Sequence, residues 1–372
     1  GSMASWSDFI YYITQREYAE KIFTSKFSGI VPFFNKILTL LASEFSVIFF
    51  IVSLLGFYLT FKKSKHLFAI FILILFADVG IMYNYGGSTG LRILYRYIFL
   101  ANLTLALMIA FALDALMEWL KILKSNGRVI IFTLAVLSGV FYQFVNSYPH
   151  NNRRNIYIFE DFARNTMIGL DPNSILFVLG DYVLGPVWYL QSIGEGNNIV
   201  VVSPALLSND WYIKNLAKKY PDLIDDSVLE QEKYDNTRMN AIIRYNFNKR
   251  TIYSSFPNWD NYSKSNFIFA PVGAVYAIMP KKNDDNEYIK FIELNEGIWE
   301  KFVLRNMNLS DYNDPTVNNL IKRYAVALSD VGLGYASLGS TRQALNFMER
   351  SFYIIPDPNT EIYIKKIESI GE

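Results

Sequence analysis

Arginines and carboxylates offer this chain its clearest chemistry. Arg92 and Arg96 stand four residues apart, so on a helix they share one face. Two planar guanidinium forks on one face can grip a phosphate in a bidentate manner, which points to an anionic headgroup or a phosphate-linked lipid. The competing arrangement has them pair with Asp78 or snorkel to ordinary lipid headgroups. Asp78 lies near the end of an apolar segment, where an ionisable side chain is costly and a functional candidate by default unless water reaches it. Further along, Asp181, Trp188, Gln191, Asp210 and Trp211 combine carboxylate, amide and aromatic groups suited to holding a polar acceptor. Absences exclude other chemistry. With no Cys and two His, thiolate catalysis and a His/Cys zinc cluster are ruled out, and no metal ligand is assigned. After residue 149 there is no G-x-G-x-x-G, P-loop or G-x-S-x-G pattern, so nucleotide binding and serine hydrolysis have no local support.

Charge locates the elements that must position these residues. Residues 1–149 carry 12 basic and 7 acidic side chains, residues 150–372 carry 23 and 27. The first half is far below the roughly 25% charged residues of a soluble domain and has a membrane composition, while the second is soluble in character. Neither half has the basic excess of a nucleic-acid binder. Four apolar runs, Ile37–Phe61, His66–Tyr83, Tyr97–Leu116 and Val129–Val145, are candidate membrane spans for a hydrocarbon core about 30 Å thick. Lys62, Lys63 and Lys65 follow the first span, and Lys121, Lys124 and Arg128 lie between the third and fourth. The bias of Lys and Arg toward the cytoplasm then puts both chain ends outside, in a periplasm, an extracellular space or a lumen. Arg92 and Arg96 breach that bias on the outer face. Before the spans, residues 1–36 show an aromatic-rich amphipathic pattern from Trp6 to Phe27, expected as interfacial helices or as a buried soluble helix. Gly1-Ser2-Met3 reads as a cloning remnant with no signal peptide behind it, so the expectation is a chain that begins partway through a longer protein.

Beyond Pro149 the pattern becomes that of an α/β domain. A helical stretch through Ile156, Phe159 and Phe162 is followed by the apolar run Ile175–Leu179, a helix Leu184–Ile193, a second run Ile199–Val202, and a helix from Asp210. Strand and helix in alternation predict a parallel sheet, with Thr251–Ser254, Asn266–Ala270 and Gly273–Met279 as later strands, the last two forming a hairpin. Ligands of such sheets gather at the carboxyl ends of strands. Those ends carry Gly180, Asp181 and Tyr182, then Ser203 to Trp211. Asp210 is alternatively only the N-cap of its helix, and Trp188 is alternatively core. From about Asn318 the pattern Tyr324-Ala325, Gly334, Ala336, Ala344, Phe352 and Pro356 looks like a tetratricopeptide unit, with Gly334 and Ala336 at the helix crossing. It either caps the α/β core or binds a partner.

The run Gly180-Asp181-Tyr182-Val183-Leu184-Gly185-Pro186-Val187-Trp188-Tyr189-Leu190-Gln191, followed by Leu206-Leu207-Ser208-Asn209-Asp210-Trp211-Tyr212, resembles a polytopic membrane family. That family includes the endoplasmic-reticulum O-mannosyltransferase acting on plexin-type ectodomains. Ser7 to Tyr18, Arg96-Tyr97 and the helical tail suit the same family. The resemblance implies a GT-C-type glycosyltransferase that takes a sugar from a polyprenyl-phosphate donor, needs no further cofactor, and passes the sugar to a protein or glycan acceptor outside the cytoplasm. Such enzymes place the catalytic carboxylate on the first outer loop of an N-terminal bundle, and Asp8, Glu17 and Glu20 do not match that loop. No catalytic residue is therefore assigned.

The expected organisation is interfacial helices over 1–36, four spans over 37–148, an extracytoplasmic α/β domain over 149–300 and a tetratricopeptide-like tail over 301–372. The expected function is the C-terminal part of a membrane glycosyltransferase, with Arg92 and Arg96 on lipid phosphate and Asp181, Trp188, Gln191, Asp210 and Trp211 on the acceptor. A non-catalytic membrane-anchored binding or assembly module is the alternative.

Overall fold

The computed structural model describes residues 6, 10, 29–94, 98–122, 126–225, 228, 235–256, 267–281, 285–307 and 314–371. Apart from Trp6 and Ile10, the interfacial helices expected before residue 29 lie outside the described residues. The chain forms two compact units, Ser2–Asn152 and Arg153–Glu372.

The first unit contains α1 (Ile30–Lys63), α2 (Lys65–Leu94), α3 (Phe99–Ile122) and α4 (Asn126–Asn151). Each holds a stretch long and apolar enough to cross a membrane, because helices that satisfy their own backbone can present apolar side chains all round. Ile48, Leu73, Phe141 and their like are exposed, as they would be towards lipid. The inner seam is built differently. Ser53, Gly56, Phe57 and Thr60 of α1 are buried, as are Ala101, Thr104, Leu105 and Met108 of α3. A Cβ on Gly56 would lie 1.9 Å from the Met108 carbonyl oxygen, so the two backbones are in contact there. Lipid supplies no hydrophobic drive between helices, and small residues that allow this approach supply dispersion instead.

Two features were not expected. Asp78 of α2 accepts a hydrogen bond from the Ala101 amide at 2.9 Å, one of the amides at the start of α3 that have no partner within the helix. A carboxylate at a helix N-terminus also meets the positive end of its dipole, so Asp78 has a structural use. In addition, α1 is broken at Ser46, with φ 61° and ψ 156°, a region populated almost only by glycine and costing about 1–3 kcal/mol for other residues. Packing shows what the break does. Phe33 and Phe57 of α1 meet Tyr83 and Phe68 of α2 edge to face. At 1.5 Å per residue those pairs are about 36 Å apart along α1 but about 22 Å apart along α2. Only a bent α1 can make both contacts.

The second unit is a five-stranded sheet of order β2-β1-β3-β5-β4. Its strands are β1 (Ile175–Phe177), β2 (Val200–Val202), β3 (Ile252–Ser254), β4 (Phe267–Val272) and β5 (Val275–Pro280). β2, β1 and β3 are parallel, whereas β5 runs antiparallel to β3 and forms the expected hairpin with β4. The sheet is therefore mixed rather than wholly parallel. Alternate residues serve opposite faces. Leu176, Val178, Val201 and Tyr253 join a core with α5 (Ile158–Met167), α6 (Asp181–Ser192) and α9 (Asp285–Glu293). Ile175, Phe177, Val200, Val202 and Ile252 join a second core with α7 (Asp210–Lys219) and α8 (Asp235–Asn246). The sheet is thus covered on both faces.

After the short α10 (Asn295–Trp299) the chain ends in α11 (Pro315–Ser337), α12 (Thr341–Ile354) and α13 (Pro358–Gly371). Leu320, Ile321 and Tyr324 of α11 share the first core with Phe162 and Trp299, so α11 belongs to the α/β packing. The glycine facing α12 is Gly332, where a Cβ would lie 2.8 Å from Met348. Gly334, expected at that crossing, faces Ile292 of α9 instead, because two residues turn a helix by about 200°.

The α1–α3 contact is directly testable. Gly56→Ala forces a methyl group into the Met108 backbone and is expected to destabilise the unit by about 1–3 kcal/mol, the usual cost of overpacking. Thermal unfolding in detergent should show a lowered midpoint, and an unchanged midpoint would refute the close approach.

Candidate functional site

The carboxyl ends of β1, β2 and β3 lie side by side, with Phe177 paired to both Val202 and Ser254. β2 and β3 flank β1 on opposite sides, and ligands of α/β sheets gather at this carboxyl end. Backbone ties hold the edge: the Ser255 amide donates to the Phe177 carbonyl at 2.8 Å, the Val178 amide donates to the Val202 carbonyl at 2.9 Å, and the Leu179 amide donates to Ser255 Oγ at 3.1 Å.

Gly180 then caps α6 with φ 93°, a left-handed conformation that side chains resist. A Cβ there would also lie 3.0 Å from the Tyr182 ring. Asp181 follows as the exposed first residue of α6. Arg323 of α11 donates to the Tyr182 hydroxyl at 2.9 Å, and its Nη1 is buried with no hydrogen-bond partner. Two turns on, Asp330 accepts from the Tyr276 hydroxyl at 2.6 Å. Tyr276 pairs with Ser254 across β3 and β5, so α11 brings a cation and an acid to the same edge of the sheet. Burial pushes the Asp330 carboxyl above the usual carboxylate range, outweighing the Tyr276 hydrogen bond. Burial first, and then the Asp330 charge, raise the Tyr276 phenol well above its ordinary value.

At the end of β2, the Ser203 amide donates to the Tyr212 hydroxyl at 2.8 Å. Burial raises that phenol to about 12. Arg238 of α8, with a side chain only 3% exposed, donates to the Leu207 carbonyl at 2.7 Å and to Asp210 at 2.9 Å. The N-cap of α7 is Asn209, not Asp210, whose carboxylate instead meets the buried guanidinium. Trp211 is 43% exposed beside it.

The expected site residues therefore divide. Asp181, Asp210 and Trp211 gather at the carboxyl edge. Trp188 and Gln191 lie about 10–15 Å farther along α6. Gln191 donates to the carbonyls of Gly196 and Ile199, at 3.0 and 2.9 Å, fastening the turn that leads into β2. Trp188 and Tyr189 are exposed on α6 rather than core. Arg92 belongs to α2 by its backbone, but its side chain and all of Arg96 lie outside the described residues. Sequence reasoning missed Arg238, Tyr276, Arg323 and Asp330. Arg238 was detectable as a cation beside the apolar stripe Met239, Ile242 and Ile243, and Arg323 and Asp330 as a charged pair seven residues apart on one face of an amphipathic helix. Among the described residues no group of three His, Asp or Glu is placed to hold a metal ion.

These elements define a membrane protein with four apolar helices and a separate domain of helices on both faces of a mixed sheet. Residues 159–297, which contain the whole sheet but not α11, match the family model described as TMEM260-associated domain 2. No solved structure matches the chain.

The Asp330 carboxyl gives a prediction with a definite sign. Its folded-state pKa lies above the unfolded value, so the folded protein takes up this proton more readily and loses stability as pH rises through that interval. Asp330→Asn keeps an acceptor for Tyr276 without the charge and should be at least as stable as wild type at pH 7. Denaturant unfolding should show that difference shrinking as pH falls toward 4, and a gap that grows on acidification would contradict the assignment.

Proposed function

We propose that this chain is the later part of a membrane glycosyltransferase that moves a sugar from a polyprenyl-phosphate donor to an extracytoplasmic protein or glycan acceptor. The observation that carries the reading is the TMEM260-associated domain match over residues 159–297 in a chain that also holds four membrane-crossing helices. A polyprenyl-phosphate sugar keeps its tail in the bilayer and its phosphate at the boundary, so an enzyme using it needs both a membrane segment and an outer domain. The resemblance of the Gly180–Gln191 and Leu206–Tyr212 runs to O-mannosyltransferases points to mannose as the sugar. In the transfer, the bond from the anomeric carbon to the phosphate oxygen breaks and one to an acceptor oxygen forms. The acceptor proton leaves to a base that is not assigned here.

Within this reading Arg92 and Arg96 hold the donor phosphate at the outer end of α2. Asp181 and Trp211 meet the acceptor at the carboxyl edge, with Trp188 extending the surface along α6. Asp210 and Gln191 shape that surface through Arg238 and through the turn before β2. The lysines around the α1–α2 junction, Lys62, Lys63 and Lys65, support a cytoplasmic junction and an extracytoplasmic second unit.

Titration of the purified chain in detergent with a polyprenyl-phosphate sugar tests the donor half of the proposal. Wild type should bind saturably, and Arg92→Ala/Arg96→Ala should weaken binding at least tenfold, since a hydrogen bond to a charged group contributes about 1.5–3 kcal/mol and each 1.4 kcal/mol is a factor of ten. If wild type does not bind, or the double variant matches it, the arginines are structural and the chain is a docking module.

A further inference from the structure

The break in α1 is braced on both sides by α4. Gln143 of α4 donates its side-chain amide to the Glu44 carbonyl at 2.9 Å, two residues before Ser46. In an unbroken helix that carbonyl would accept from the Ile48 amide. Gly139 lies one turn earlier on the same face of α4, and a Cβ there would be 3.1 Å from the Phe49 ring, three residues after the break. α4 therefore touches α1 on both sides of Ser46, with a hydrogen bond before it and a close steric contact after it. In the apolar interior of a membrane a carbonyl released from a helix needs such a partner, and a side chain reaching in from an adjacent helix is one of the recognised ways to provide it.

The segment before the break has its own anchor. Phe33 packs edge to face on Tyr83 with ring centroids 5.0 Å apart, and Phe33, Ile37 and Leu41 are buried with Val79 and Met82 of α2. Within this segment Thr39 and Ser43 return their hydroxyls to the carbonyls of Asn35 and Leu40, a pattern that favours helix bending. The segment after the break is fixed to α3 through Gly56 and Met108. Both halves also rest on α2, through Phe33 on Tyr83 before the break and Phe57 on Phe68 after it, and the strained Ser46 joins them.

We propose that α1 is a two-segment device in which Ile30–Phe45 is an arm set at an angle to the spanning segment Val47–Lys63, and that Gln143 is the latch holding that angle. Without the latch, the Glu44 carbonyl recovers an intrahelical partner only if Ser46 leaves its strained conformation, so the arm swings toward the axis of the spanning segment. The device lies wholly within the membrane unit and stands apart from the sugar-transfer reading.

The chain contains no Cys, so spin labels can be attached at Leu38→Cys on the arm and Tyr58→Cys on the spanning segment, both exposed. In a straight helix these positions are about 30 Å apart. Pulsed dipolar spectroscopy of the full chain in lipid nanodiscs should give one narrow distance, shorter than that, in the protein with Gln143 intact. Gln143→Leu should shift the distribution by several ångströms toward the straight-helix value or split it in two, with circular dichroism and a monodisperse elution confirming that the variant is folded. Ser46→Gly leaves the latch in place and relieves the backbone, so it should keep the short distance and narrow it further. This variant carries the test should Gln143→Leu fail to fold. A straight-helix distance with Gln143 intact would overturn the proposal, as would a long distance in Ser46→Gly or a Gln143→Leu distribution that superimposes on its parent.

Discussion

β1 is hydrogen-bonded to a strand on each edge and covered by helices on each face, so no part of it reaches water. That constraint organises the second unit. A strand in this position must be apolar at every residue, must have both neighbours in register, and must send its chain out at the one end where polar groups can be satisfied. That end is the carboxyl edge, where Gly180 turns the chain into α6 and where the hydroxyl of Ser255 and the backbone of Phe177 and Val178 close the ladder. α11 completes the enclosure. It supplies Tyr324 to the core below and Arg323 and Asp330 to the edge above.

The membrane unit answers to a different constraint. Apolar side chains gain nothing from meeting one another in lipid, so what holds α1 to α3 is the absence of a side chain at Gly56, and what holds α2 to α3 includes a carboxylate, Asp78, on an otherwise unpartnered amide. The same rule that every backbone polar group needs a partner explains why a helix broken at Ser46 comes with Gln143 beside it.

The two units bear on function unequally. The match to the TMEM260-associated domain falls on the sheet and its helices, and within it the motif residues that drew attention divide into supports and candidates. Tyr212, Gln191 and Asp210 make hydrogen bonds that set local geometry. Asp181, Trp188 and Trp211 remain exposed. Motif conspicuousness alone did not separate these roles, since a buried hydrogen bond and a binding contact both favour the same polar and aromatic residue types.

The sequence by itself determined the four apolar helices, the apolar runs that became β1 and β2, the terminal hairpin and the helical tail, because each is a local pattern of burial: all round a helix in lipid, or on both faces of an enclosed strand. Tertiary structure alone decided which glycine of α11 faces α12, that the sheet turns antiparallel after β3, that Asp210 serves Arg238 rather than the end of its own helix, and that Arg323 and Asp330 reach the carboxyl edge. It also decided the break at Ser46, in a stretch where no proline or glycine signals a kink. These choices depend on groups that meet from 16 to more than 140 positions apart in the chain, as with Gly332 and Met348 or Arg323 and Tyr182, and such meetings leave no periodic trace in the residues between them.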